Sequence, residues 1–168
     1  MKMKVVKHSL KSFFIVLIIC ISGCTTQLAP KYDAVLFKGL TDTNVKIMEL
    51  FASVSTGTDV ATCGKREGAY NAVIGSIDAL ALQSKARPMP ENSITEKVNE
   101  YLESRGIGSM SNGEAPSASA LENVSKQLAK MKEVDCKSGL KAGAVAIFKN
   151  AVIISMDQAI TYESFLVR

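Results

Sequence analysis

Ser138-Gly139-Leu140-Lys141 sets a serine three residues ahead of a lysine, a spacing in which the amine can activate the hydroxyl as a nucleophile. Lys137-Ser138-Gly139 lays a second catalytic-looking triplet over the same serine. Chemistry of that kind needs the two motifs on separate elements facing one pocket, so their overlap favours a helix N-cap at Ser138. Glu96, Glu100 and Glu103 recur at helical spacing. Two such acids held about 5–10 Å apart could cleave glycans, yet the same spacing describes a solvated helix face. Lys126, Lys130 and Lys132 read as a surface stripe rather than a phosphate channel. None of these sets predicts an enzyme.

The beginning of the chain narrows the chemistry further. Lys2, Lys4, Lys7 and Lys11 precede an uninterrupted apolar run from Phe13 to Ile21, and Ser22-Gly23 follows. A basic start, a short apolar centre and small residues make a secretory leader. The run falls short of the roughly 20 residues of a stable membrane span, and its other uses are an uncleaved anchor or a buried core helix. Ile21-Ser22-Gly23-Cys24 resembles the lipobox of bacterial membrane lipoproteins. That resemblance implies removal of residues 1–23, a diacylglyceryl group on Cys24 and an acyl chain such as palmitate on its new amino group. Thr25 in place of Asp then implies sorting to the outer membrane, facing the periplasm. Tyr32-Asp33 is similar to the opening of small helical-bundle envelope lipoproteins of Gram-negative bacteria.

Loss of the leader changes what remains. The formal net charge of +4 resides in the four leader lysines, so residues 24–168 are neutral and no nucleic-acid partner is expected. His8, the only histidine, departs as well. A Ser-His-Asp triad, a zinc site built on imidazole and a Glu-x-x-His di-iron site are then out of reach. The covalent lipid on Cys24 is the only cofactor expected. Cys20 lies within the apolar run, leaving Cys63 and Cys136 as thiols in an oxidising compartment. There they form a disulfide, or else remain as two separately buried thiols.

Residues 24–31 contain Pro30 and no apolar periodicity, and read as a tether to one domain spanning 32–168. Tyr32, Leu36, Leu40, Ile47, Phe51 and Val54 make a helical stripe. A second helix is predicted from an Asp59 cap to Arg87, ended by Pro88 and Pro90. Within it, Gly64, Gly68 and Gly75 are expected to admit a neighbouring helix. Ser93-Ile94-Thr95-Glu96 is a capping box for a short helix, and residues 106–116 form a loop. Ser119-Ala120-Leu121-Glu122 opens a helix with Leu121, Val124, Leu128 and Met131, followed by a last helix from Leu140 to Leu166. The tyrosines are expected in the core or at helix ends, hydroxyls outward.

The fold class expected is all-α, an antiparallel bundle of four long helices plus one short helix with one disulfide. Cys63 and Cys136 can meet only where the start of the second helix and the end of the fourth share the pole away from the tether. The last helix is apolar around most of its wheel, so it is either central or a self-association or partner surface that includes Val145 and Ile153. The function expected is that of an outer-membrane-anchored, non-catalytic binding, accessory or inhibitory module with an envelope protein as partner. The alternatives are a carrier of an apolar, lipid-like ligand between helices and a cell-wall hydrolase working with carboxylates alone.

Overall fold

Asp33 accepts hydrogen bonds from the backbone N–H groups of Val35 and Leu36, capping the first helix, α1, at Ala34–Ser53. The structure, a computed structural model, describes residues 29–90, 96, 97, 100, 101, 104 and 114–167. The leader, Cys24, Ser93 of the capping box, Glu103 and residues 106–113 of the predicted loop lie outside the described residues. Helix α2 spans Glu67–Lys85, α3 Pro116–Ser138 and α4 Ala142–Phe165, and no strand occurs among the described residues. Between α2 and α3, residues 96, 97, 100, 101 and 104 are helical, as the short predicted helix requires.

Neighbouring helices pack as α1 on α2, α2 on α3, α3 on α4 and α4 back on α1, a square bundle whose elements alternate in direction. Leu36, Leu40, Ile47 and Phe51 from α1 meet Tyr70, Val73 and Ile77 from α2 in a single core. Leu121, Val124, Leu128 and Met131 complete it from α3, with Val145, Val152 and Met156 from α4. Full burial of one such aliphatic side chain is worth about 1.5–3 kcal/mol, so the stripes read from spacing are what holds the bundle together.

Several boundaries differ from expectation. Asp59 caps a separate 3-10 segment, Val60–Lys65, and the α-helix resumes only after Arg66. Helix α3 begins three residues earlier than the Ser119 box, because Pro116 suits a first helical turn, where its missing N–H has no partner to lose. Ser119 instead donates to the Pro116 carbonyl. Ser138 is no N-cap: it is the last residue of α3, and its hydroxyl donates back to the Val134 carbonyl. Gly64, Gly68 and Gly75 admit no helix, since a Cβ at any of them would meet nothing within 4 Å. Gly39 of α1 has that role instead, as a Cβ there would fall 2.7 Å from Leu80 Cδ2.

At the pole away from the tether, the loops 54–59 and 139–141 lock reciprocally. Gly57 (φ 97°) and Gly139 (φ 73°) both take the left-handed conformation. A Cβ on Gly57 would lie 2.6 Å from the Leu140 carbonyl oxygen, and one on Gly139 2.6 Å from that of Thr58. Gly139→Ala should therefore lower stability by about 2 kcal/mol or more through φ strain and collision. Gly75→Ala, in an open helix interior, should raise it by about 0.5–1 kcal/mol. Urea denaturation of the two variants at neutral pH measures both, and opposite signs are expected.

Candidate functional site

Each pole of the bundle encloses one carboxylate, and these are the most chemically distinctive groups in the fold. Asp135, in the last turn of α3, is fully buried. Arg66 Nε and Nη2 donate to its two oxygens at 2.7 Å each, forming a fork, and the Tyr70 hydroxyl donates at 3.1 Å. Thr58 adds its hydroxyl while accepting the Leu140 N–H at 2.8 Å, so the reciprocal loops are tied to the same carboxylate. Burial opposes the charge on Asp135, but the hydrogen bonds from Arg66 and Thr58 outweigh it and hold the carboxyl below the usual aspartate range. The Asp135 hydrogen bond in turn raises the Arg66 guanidinium, and burial followed by the Asp135 charge raises the Tyr70 phenol. A carboxylate kept ionised and surrounded by four donors has no proton to give. The arrangement fixes structure rather than performing acid–base chemistry.

Glu163, in the last turn of α4, is the counterpart at the tether pole and is likewise fully buried. Arg87 holds it from both terminal nitrogens, with Nη1 at 2.9 Å from Oε2 and Nη2 on Oε1. Ser117 donates to the same Oε1 and lies 2.7 Å from the Ser84 hydroxyl. Among the described residues, Arg87 Nε and the Tyr162 hydroxyl are buried without a hydrogen-bond partner, and burial raises the Tyr162 phenol. Arg87 also borders an open cleft of about 660 Å³, walled by Pro30, Tyr32, Pro88, Met89 and Pro90. Lys31 and Asp33 line it as well, so a largely apolar wall carries three charged residues, and the cleft sits where the chain enters the bundle.

The residues singled out in the sequence are dispersed. Cys63 and Cys136 stand at disulfide distance, Cα atoms 5.1 Å apart, at the pole away from the tether, as the connectivity demanded. Val145 does not belong to a surface: it is buried in the core, because it shares a line with Val152, Met156 and Ala159 on the inward face of α4. Ile153 is 40% exposed. Helix α4 is not central either; it is one corner of the square. Ser138 and Lys141 flank the Gly139 turn at the ends of different helices, and the Ser138 hydroxyl donates to the Val134 carbonyl. Glu96 and Glu100 are exposed. Lys130 pairs with Glu133, and Lys132 with Glu67 and Asn71, as a solvated stripe does. Tyr70 reverses expectation by turning its hydroxyl inward to Asp135. No group of three or more His, Cys, Asp or Glu suited to a metal occurs among the described residues.

Sequence reasoning missed Asp135, Glu163, Arg66, Arg87, Ser84 and Ser117. A signal for the acids was present. Asp135 continues the stripe Leu121, Val124, Leu128, Met131 by one further turn, and Glu163 continues Met156 and Ala159 in the same way. An acid in phase with a buried stripe has to find a cation. Ser84 continues Tyr70, Val73, Ile77 and Leu80 likewise. Comparison of the chain with protein-family models, with curated proteins and with solved structures yields no match.

Removing the charge at Asp135 takes from Arg66, whose side chain is 16% exposed, the forked ion pair that holds it, leaving only the more distant Asp59 charge. Asp135→Asn should therefore cost about 3–5 kcal/mol at pH 7. The carboxyl is depressed in the folded chain, so its stabilisation is complete above the unfolded value near pH 4 and is lost as pH falls through the folded value. Urea titrations from pH 7 down to about 2.5 should show the gap between the parent chain and the variant closing below about pH 4.

Proposed function

We propose that this chain is a lipid-anchored protein of the bacterial envelope, held in the outer membrane through Cys24 and facing the periplasm, that acts by contact with another envelope protein rather than by catalysis. The leader and the Ile21-Ser22-Gly23-Cys24 pattern support the location. More than one acyl chain on the same cysteine gives stable anchoring, and confinement to a thin layer raises the effective concentration towards envelope partners. Closure of both buried carboxylates by arginine supports a non-catalytic role.

One observation carries the contact reading: the outward ridge of α4. Ile147 is 72% exposed, Ile154 60% and Phe165 77%, and helical spacing aligns the three along one side of the helix. By length and composition α4 is apolar enough to cross a membrane, yet its inward face completes a bundle core and carries the buried Glu163. An apolar ridge on a packed helix fits a protein partner, with the isoleucines and Phe165 as anchors. The cleft beside Arg87 favours a second reading, carriage of a lipid-like ligand, since its volume lies in the range of small-molecule sites.

Metabolic labelling with a fatty acid should mark the parent chain and leave Cys24→Ala unmarked. Crosslinking and pulldown from the native envelope should recover a discrete partner from the parent chain, with recovery reduced about tenfold or more by Ile147→Glu with Ile154→Glu. Native mass spectrometry after mild extraction separates the readings: a non-covalently bound lipid in every molecule, beyond the acyl groups on Cys24, with no partner captured, would replace contact by carriage.

A further inference from the structure

A second arc of α4, beside the Ile147–Ile154 ridge, carries a pattern that the proposed function does not use. Ala146, Lys149, Ile153, Asp157 and Ile160 fall within an arc of about 80° at 100° per residue. Ala146, Lys149, Ile153 and Asp157 are exposed, and Ile160 is half-buried. Lys149 and Asp157 form no ion pair among the described residues. They are eight residues apart, about 12 Å along the helix, too far to neutralise each other within one copy.

The arc is complementary to its own reverse. Antiparallel apposition of two copies with Ile153 opposite Ile153 sets Lys149 against Asp157 at both ends of the contact. The same register sets the small Ala146 against the bulky Ile160. In an antiparallel helix pair, residues just to one side of the seam face residues just to the other side on the partner, which is how these two pairs are disposed. Two-fold symmetry then forms each ion pair twice from one surface, the signature of an isologous interface. We propose that α4 mediates an antiparallel homodimer of this chain, centred on Ile153 and held in register by reciprocal Lys149–Asp157 pairs.

Sedimentation of the full chain, purified in mild detergent, reads the association. Lys149→Asp or Asp157→Lys alone faces like charges across the seam, and each should weaken dimerisation about tenfold or more. Combined, they recreate the pairs with signs exchanged and should restore the constant to within about threefold. Both positions are exposed, so the double variant also controls for folding. Independently, Ile153→Cys should crosslink to itself above the background of the parent chain, whereas Ile147→Cys, about 18 Å from its equivalent in this register, should not. A monomer at all concentrations up to about 100 µM, single variants that dimerise like the parent, a double variant no better than the singles, or equal crosslinking at both positions would each overturn the proposal. Loss of the envelope partner with dimerisation intact would count against the contact reading alone.

Discussion

The enclosure of Asp135 is the constraint on which the rest of the bundle depends. A carboxylate in the last turn of α3 lies at the negative end of the helix dipole and, being fully buried, cannot be hydrated. It is tolerable only because donors arrive from three separate stretches of chain: Thr58 from the first loop, Arg66 from the bend after the 3-10 segment and Tyr70 from α2. All three must be in place at once. The cysteine pair at disulfide distance joins the same partners, since Cys136 follows Asp135 directly and Cys63 precedes Arg66 by three residues. The ion pair and the apposed cysteines therefore bear on a single relation, the height of the start of α2 against the end of α3. Apolar stripes alone tolerate a slip of one turn far better than a buried ion pair does.

Glu163 and Arg87 repeat the solution at the opposite pole, and there the consequence is rotational. Glu163 shares the inward line of α4 with Val145, Val152 and Met156. With its carboxylate held by Arg87 and Ser117, α4 has one orientation about its own axis. The wheel carries more apolar residues than the inward line can hold, so fixing that line compels Ile147, Ile153 and Ile154 outward. Apolar exposure on α4 is thus a consequence of where the polar lock sits, and turning the helix to hide those residues would uncover an unpaired carboxylate.

Periodicity made most of the architecture legible. The stripes of α1 and α3 and the shared pole of the two cysteines follow from spacing alone, whereas α4, apolar around most of its wheel, offered no inward line and left Val145 misplaced. What spacing does not carry is the identity of long-range polar partners. Arg66 and Arg87 are ordinary surface-type residues by position, and nothing local ties them to Asp135 or Glu163, 69 and 76 residues away. Gly64, Gly68 and Gly75 misled for a related reason: a glycine on a helix is compatible with close approach and equally with open solvent, and only the neighbour decides. Ser138 misled because Ser-Gly can open a helix or close one, and the left-handed Gly139 behind it selects closure.

The proposed anchor at Cys24 and the proposed α4-centred dimer would constrain each other. The chain enters the bundle at the pole where α4 ends, so antiparallel α4 helices point the two tethers in opposite directions along the helix axes. Both can reach one membrane only when the two-fold axis is normal to it and the helices lie in its plane. The tether permits this: nine or so residues between Cys24 and Asp33 span about 30 Å when extended, more than the radius of a four-helix bundle. A single anchored copy has no such restriction and can stand upright. If both proposals hold, dimerisation through α4 would change which surfaces an envelope partner meets, and the Lys149–Asp157 register would then determine contact as well as assembly.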